Sequence, residues 1–227
     1  MTKKRFSTEL AYFLGLLLLA FGTALMEKAG FGISMVVAPA YLLHLKLSPY
    51  LPFFTFGMAE YTLQALLICV MMLVLRRAKL AYLFSLVTAV LYGFMLDGMM
   101  ALVALIPFMA IAMRVVYFAV GMLICAAAIA FLFRSYISPE AYELFVKEVS
   151  DHFGFDIHKC KLVYDTSSLA LSVVLSFSFF GLWQFNGIHV GTLINALCNG
   201  LFIKLWSHLY DRIFRFEDLL PLHRFFS

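Results

Sequence analysis

The chain has 227 residues and a formal net charge of +4; 64% of its residues are apolar and 13% are charged. Soluble domains are about half apolar and about a quarter charged, so this composition, with a mean hydropathy of +0.95, excludes an ordinary soluble domain. The basic residues are spread among the loops and form no patch. We therefore expect the lipid bilayer, and no nucleic acid, as a partner.

Long apolar blocks predict an all-α, polytopic membrane protein with a single integral membrane domain over residues 1–227. A helix needs about 17–25 apolar residues to cross a bilayer, whereas barrel strands alternate in segments of about ten residues. Residues 99–113 contain Pro107, and we expect them to form an interfacial or re-entrant piece and not a further crossing. We predict six spans at residues 10–26, 53–75, 80–96, 115–133, 162–182 and 188–206.

The basic residues predict the orientation of these spans. All but three of the 17 Lys and Arg residues fall on the side that holds the N-terminus, the exceptions being Lys28, Lys46 and Arg114. Cytoplasmic loops carry an excess of positive charge. Both termini of this multi-pass protein are therefore predicted to be cytoplasmic.

The segment between the first and second predicted spans is apolar but too irregular to cross the membrane. Irregular backbone is tolerated at membrane depth where it lines a cavity, and glycines there leave amides free for an anionic group. We therefore predict a re-entrant stretch; the alternative is that its charge pair neutralises itself at the membrane surface. The residues that define the stretch are Glu27, Lys28, Gly30, Gly32, Ser34 and Pro39.

A second broken segment, residues 135–152, follows the fourth span at the corresponding place. Each broken segment precedes a span with an acid near its start, Glu60 in one case and Asp165 in the other. Because each unit has three spans, the second unit would lie in the membrane in the opposite orientation to the first. The pattern therefore predicts a 3+3 inverted repeat with halves 8–98 and 113–210, which is typical of secondary transporters. The alternative for residues 135–152 is an amphipathic helix on the membrane surface.

Polar residues inside the spans are the candidate substrate or coupling-ion residues, because such residues usually face the bundle interior or water. Glu60 has Gln64 one turn further along the same helix face. Asp165, Ser168 and Ser172 share one face of the fifth span. The structural alternatives are a protonated acid bonded to a neighbouring helix, a helix cap, and serines that let helices approach.

The sixth span carries a third candidate group on one face, Thr192, Asn195 and Asn199. Two asparagines could coordinate a polar substrate, although hydrogen bonds between helices are the commoner use of such residues. The 4 cysteines are scattered without metal-type spacing. We therefore expect neither a metal site nor a cofactor.

Short motifs along most of the chain resemble one family of bacterial integral membrane proteins. They are GTAL at 22–25, KAGFGIS at 28–34, KLVYD at 161–165 and VGT at 190–192 with Asn195-Ala196 after it. These motifs resemble the YczE/YyaS/YitT family. The resemblance implies a polytopic fold and a membrane location but supplies no binding residues; the soluble C-terminal domain of the YitT-type members is not expected here.

Two functions follow from these patterns. The first is a secondary transporter of a small-molecule solute that works by alternating access between inverted halves. The alternative is a non-transporting regulator or assembly partner of another membrane system. The chain carries no HExxH and no GxSxG motif, so we do not expect an enzyme.

Overall fold

The computed structural model describes residues 4–107, 110–137 and 140–219, without the side chains of residues 80, 81, 157 and 158. Eight helices and two short strands make up nearly all of this part of the chain. In order they are β1 (Lys4–Ser7), α1 (Thr8–Ala29), α2 (Ala38–Leu47), α3 (Phe56–Leu75), α4 (Leu80–Ala104), α5 (Ile111–Leu132), α6 (Ala141–Phe153), α7 (Ile157–Phe180), α8 (Val190–Ile213) and β2 (Phe214–Glu217).

Five of the six predicted spans are confirmed as helices long and apolar enough to cross a membrane, in α1, α3, α4, α5 and α7. The sixth is the helix α8, which has 24 residues but is not one of those five. Asn195, Asn199 and Lys204 lower its hydropathy. The crossing of the membrane by α8 stays a prediction.

The prediction of a separate piece at residues 99–113 is wrong. Residues 99–104 continue α4, residues 111–113 begin α5, and the described residues between them form a turn that contains Pro107. A proline inside a helix removes a backbone hydrogen bond and clashes with the preceding turn, so the apolar run is divided between two long helices.

The helices α1 and α5 form the centre of the bundle and cross where two glycines meet. A Cβ atom on Gly22 would lie 2.8 Å from the carbonyl oxygen of Gly121, and the reverse distance is also 2.8 Å. Backbones approach this closely in membranes where small residues line the crossing. The helix α4 packs against α1, and α8 packs against α5.

The short helices α2 and α6 each cover about half of the bundle length. The amide of Ala141, at the start of α6, donates to Gln64 midway along α3, and Glu148 pairs with Lys79 just beyond the end of α3. For α2, the carbonyl of Met35 just before its start accepts from Ser168 midway along α7, and Lys46 donates to the carbonyl of Phe179 near the end of α7. Both short helices therefore begin at mid-bundle.

Two hydrogen bonds fix the start of α3 against α4. The side chain of Asp97 accepts from the hydroxyl of Thr55 at 2.6 Å and from the amide of Gly57 at 2.8 Å. Gly57 also lies against Gly93 of α4, where an added Cβ atom would overlap the carbonyl oxygen. The α3–α4 pair is therefore closed at this end.

The strands β1 and β2 pair in parallel, with Lys4 opposite Phe214 and Ser7 opposite Glu217. They join the start of α1 to the end of α8, and Phe6 stacks on Phe131 of α5. The sequence analysis predicts no strand here, because four-residue strands carry too little alternation to be recognised.

Candidate functional site

A small cavity lies where the two short helices begin, and it opens on the outer face of the bundle, where Leu66, Val70 and Leu171 are exposed. It has a volume of about 250 Å³, and its walls include Pro39 of α2, Leu67 of α3, Tyr142 of α6, and Tyr164 and Ser168 of α7. Each of these four helices contributes to one wall. The cavity is therefore the place where both broken segments and both acid-bearing spans meet.

Glu60 is completely buried beside this cavity. Its Oε1 atom accepts a hydrogen bond of 2.9 Å from the hydroxyl of Tyr142, and the side chain of Gln64 is its second neutral partner. The local sequence explains the position, because Thr55 caps α3 through the amide of Met58 and starts the helix one turn before Glu60. The predicted site residue is therefore held by neutral groups, without a cation beside it among the described residues.

Gln64 lies one turn further along α3 and is also completely buried. Its Oε1 atom accepts from the amide of Ala141 at 3.0 Å, and its side-chain amide is a partner of Glu60. The start of α6 is therefore held by a neutral side chain of α3. Glu60 and Gln64 form one polar face, as the sequence predicts.

Glu140 is a second buried acid that the sequence analysis does not select. It precedes the first residue of α6, its side chain is buried, and its Oε1 atom has no hydrogen-bond partner in the described part of the chain. Burial raises the pKa of Glu140 well above its usual range; the negative charges of Glu143 and Glu60 raise it further, and Lys161 opposes them. The signal was present in the similar stretches APAY at 38–41 and PEAY at 139–142.

Asp165 lies in a different environment from Glu60. Its Oδ1 atom is 3.1 Å from the ammonium nitrogen of Lys161, which is also 3.4 Å from Glu143. Asp165 therefore has a cationic partner one helical turn away, in the i,i+4 arrangement that stabilises helices. The two acids that the sequence pairs as equivalent differ in burial and in charge compensation.

The serines of α7 connect it to neighbouring backbone. The hydroxyl of Ser168 donates to the carbonyl of Met35 at 3.1 Å, that of Ser172 donates to the carbonyl of Ser168 at 2.8 Å, and that of Ser176 donates to Gln184. Ser168 contributes to the cavity wall. Ser172 instead bonds within its own helix, which satisfies its hydroxyl without a ligand.

The candidate group on α8 lies apart from Glu60. Thr192 and His189 form a capping box at the start of α8. Asn195 is 3% exposed, and the Oδ1 atoms of Asn195 and Asn199 have no hydrogen-bond partner within the described residues. No hydrogen bond or ion pair of the described part joins this group to the cavity. The structure therefore keeps it separate from the other two groups.

The charge pair of the re-entrant stretch is divided between two partners. Glu27 accepts from the hydroxyl of Tyr41 at 3.1 Å, and Lys28 donates to the carbonyl of Ala104 at 3.5 Å. Among the described residues, no ion pair or hydrogen bond joins Glu27 to Lys28.

The glycines and the serine of the stretch shape its turn. Gly30 ends α1 with a φ of 68°, in the left-handed region that favours glycine, and Gly32 packs so tightly that a Cβ atom would meet Thr192. The carbonyl of Ser34 accepts from the amides of Val37 and Ala38. These amides are therefore engaged within the chain, and only Pro39 of the stretch's predicted residues reaches the cavity.

The fold and the site define a polytopic, all-helical membrane protein with a buried acidic site between two half-length helices. The chain belongs to the family of unknown function DUF6198, whose match covers residues 6–208. No curated protein and no solved structure matches it. The resemblance to the YczE/YyaS/YitT family stays a prediction.

Proposed function

We propose that the protein is a secondary transporter of a small solute that works by alternating access in a bacterial cell membrane. The observation that carries this proposal is the meeting of two half-length helices, α2 and α6, at one mid-bundle cavity beside a buried acid. Discontinuous helices that end at a midplane site are the usual construction of secondary transporters.

Reciprocal packing supports an inverted repeat of halves 8–98 and 113–210. The helix α2 packs against α7 as α6 packs against α3, and α1 packs against α4 as α5 packs against α8. In this arrangement α1, α2, α3 and α4 correspond to α5, α6, α7 and α8. Under the predicted orientation, α2 enters from the outer side and α6 enters from the cytoplasm.

One pair of helices departs from this symmetry and supports alternating access. The helix α4 packs closely on α3, whereas α7 and α8 make few contacts along the described residues. Accordingly, a larger share of the apolar part of α3 than of α7 is buried. A second state follows if the two halves exchange conformations, so that α8 closes on α7 and α4 moves away from α3.

The direct test is binding followed by transport. A thermal-shift screen of the detergent-purified protein covers amino acids, sugars, organic acids, amines and nucleobases, since a ligand at 100 times its Kd adds about 2.7 kcal/mol. Each solute that binds is then tested for counterflow into liposomes that contain the protein. We expect counterflow by the wild type, and its loss in a folded Glu60→Gln variant.

The matched control is Glu217→Gln. Glu217 is an acid of β2 that pairs with surface arginines. This variant should transport like the wild type. If solutes bind but none shows counterflow, the transporter proposal is wrong. A stable complex with another membrane protein that survives Glu60→Gln would then support the regulator.

A further inference from the structure

The interior around the cavity contains more acid than base. Glu60, Glu140, Glu143 and Asp165 face a single ammonium group, that of Lys161. Lys161 is already shared between Glu143 and Asp165. Within the described residues, Glu60 and Glu140 have no cationic partner of their own.

Burial makes this imbalance costly. An unpaired charge in a low-dielectric interior is strongly unfavourable, and such a group either takes up a proton or pairs with a counter-ion. Glu60 and Glu140 are 0% and 5% exposed, and the Oε1 atom of Glu140 has no hydrogen-bond partner in the described part of the chain. The two groups therefore need either protons or a cation, and the two occupants exclude each other.

Two backbone groups at the helix starts are closed to an anionic ligand. The first amide of α6, that of Ala141, already donates to Gln64, and α2 begins with Pro39 in its first turn, which has no N–H group. An anionic ligand would also meet the carboxyl groups of Glu60 and Glu140, whose like charge opposes its binding.

The remaining walls suit the body of an organic cation. Tyr142 and Tyr164 both line the cavity, and their ring centroids lie 6.3 Å apart. The ammonium of Lys161 is 5.8 Å from the centre of the Tyr164 ring, which is the geometry of a cation–π contact. Beyond the rings, the cavity is lined mainly by leucine and valine side chains.

We propose that this site binds a small amphipathic organic cation, with its charged nitrogen at Glu60 and Glu140 and its apolar body in the cavity, and that the cation displaces a proton. The inference deepens the proposed function by naming the substrate class of the same site. No covalent bond changes; the displaced proton leaves for the solvent. Cation and proton then exchange at one site, which couples their movements in opposite directions.

Other titratable groups lie near the two carboxyl groups and also affect how cation binding depends on pH. Within the described residues, none of these groups is an unpaired base. They are Tyr12 on α1, Tyr92 on α4, Cys125 on α5, Tyr142 and Glu143 on α6, and Lys161, Tyr164 and Asp165 on α7.

The experiment uses three probes of similar shape on the full-length protein in detergent. They are benzyltrimethylammonium, which is a permanent cation, neopentylbenzene, which is its neutral analogue, and phenylacetate, which is an anion. Binding is followed by calorimetry, and proton release is followed with a pH dye in weak buffer. We expect binding of the cation alone, release of about one proton per site, and up to a tenfold lower Kd for each unit rise in pH.

Variants of Glu60 and Glu140 show which carboxyl group releases the proton. Glu60→Gln and Glu140→Gln should each lower or abolish proton release, while Glu217→Gln should match the wild type. Glu60→Asp and Glu140→Asp retain the carboxyl group, so they should still release a proton when the cation binds. They replace a glutamine variant that fails to fold. Failure of the cation to bind, preference for phenylacetate, or release that is unchanged in both folded glutamine variants would overturn the inference.

The result separates this inference from the transporter proposal. Cation binding with proton release but without counterflow would support the site and contradict transport. Counterflow of an anionic or neutral solute that survives both glutamine substitutions would support transport and contradict the cation site.

Discussion

The hydroxyl of Tyr142 donates to Glu60 across 2.9 Å, between residues 82 positions apart in the chain. This bond joins the first turn of the half-length helix α6 to the buried polar face of α3. It satisfies one oxygen of a completely buried carboxyl group. The stability of the site should therefore depend on this hydroxyl more than on any neighbouring one.

Tyr142→Phe is expected to lower the free energy of unfolding by about 1–3 kcal/mol, because it leaves a buried acceptor without a partner. The matched control is Tyr164→Phe in the same cavity, whose hydroxyl makes no hydrogen bond with the described residues. Thermal unfolding in detergent measures both variants. Equal melting temperatures for the two would contradict the structural role of the bond.

Glu140→Gln is expected to weaken the dependence of stability on pH. The pKa of Glu140 is raised in the folded protein, chiefly by burial, so the folded state holds its proton at pH values where the unfolded chain has lost it. This contribution is fully present below about pH 4.3, the ordinary pKa of Glu, and is lost as the pH rises through the raised folded pKa. As the pH rises from 4 to 8, the melting temperature of Glu140→Gln should therefore fall less steeply than that of the wild type. The control Glu217→Gln should keep the wild-type slope.

Gly57→Ala is expected to destabilise the protein by about 1–3 kcal/mol, because the new methyl group would overlap the backbone of Gly93. Gly200→Ala is the matched control, since an added Cβ atom there has no neighbour within 4 Å among the described residues. That control should be neutral or slightly stabilising through helix propensity. Thermal unfolding measures the stability of both variants. An equal loss of stability in the two would contradict the close α3–α4 crossing.

Asp97→Ala is expected to cost more stability than Thr55→Val. The carboxylate of Asp97 accepts two hydrogen bonds, one from Thr55 and one from the amide of Gly57, whereas Thr55→Val removes one of them together with the helix cap. We expect losses of about 2–3 and about 1–2 kcal/mol, respectively. A chemical-unfolding series measures both losses. The reverse order would show that the cap, and not the carboxylate, holds the start of α3.

The predicted orientation gives a topology test. Fusion of alkaline phosphatase after Ser48 should give an active enzyme on the outer side, whereas fusion after Asp218 should give an inactive one in the cytoplasm, because basic loops stay inside. Fusions to green fluorescent protein should give the opposite pattern. The same phosphatase activity at both positions would contradict an even number of crossings.

Several parts of the site could be predicted from local sequence. An acid inside an apolar block is costly wherever the helix lies, so Glu60 stands out without a structure. The broken segment at Gly30 to Pro39 is similarly visible as glycine and proline inside an apolar run. Glu140 was missed because it lies outside the apolar blocks, in a segment whose composition also fits a surface helix.

Long apolar blocks are a local property that only a bilayer satisfies, so the amino-acid sequence is enough to predict a helical membrane protein with an acid inside a span. Which polar groups meet depends instead on how the helices pack. Tyr142 and Ala141 reach Glu60 and Gln64 because α6 begins at mid-bundle, and Asp165 is neutralised because Lys161 lies one turn away on its own helix. Burial and charge compensation depend on helix packing, which no local pattern specifies, and so two acids that look equivalent in sequence became an unpaired carboxyl and an ion pair.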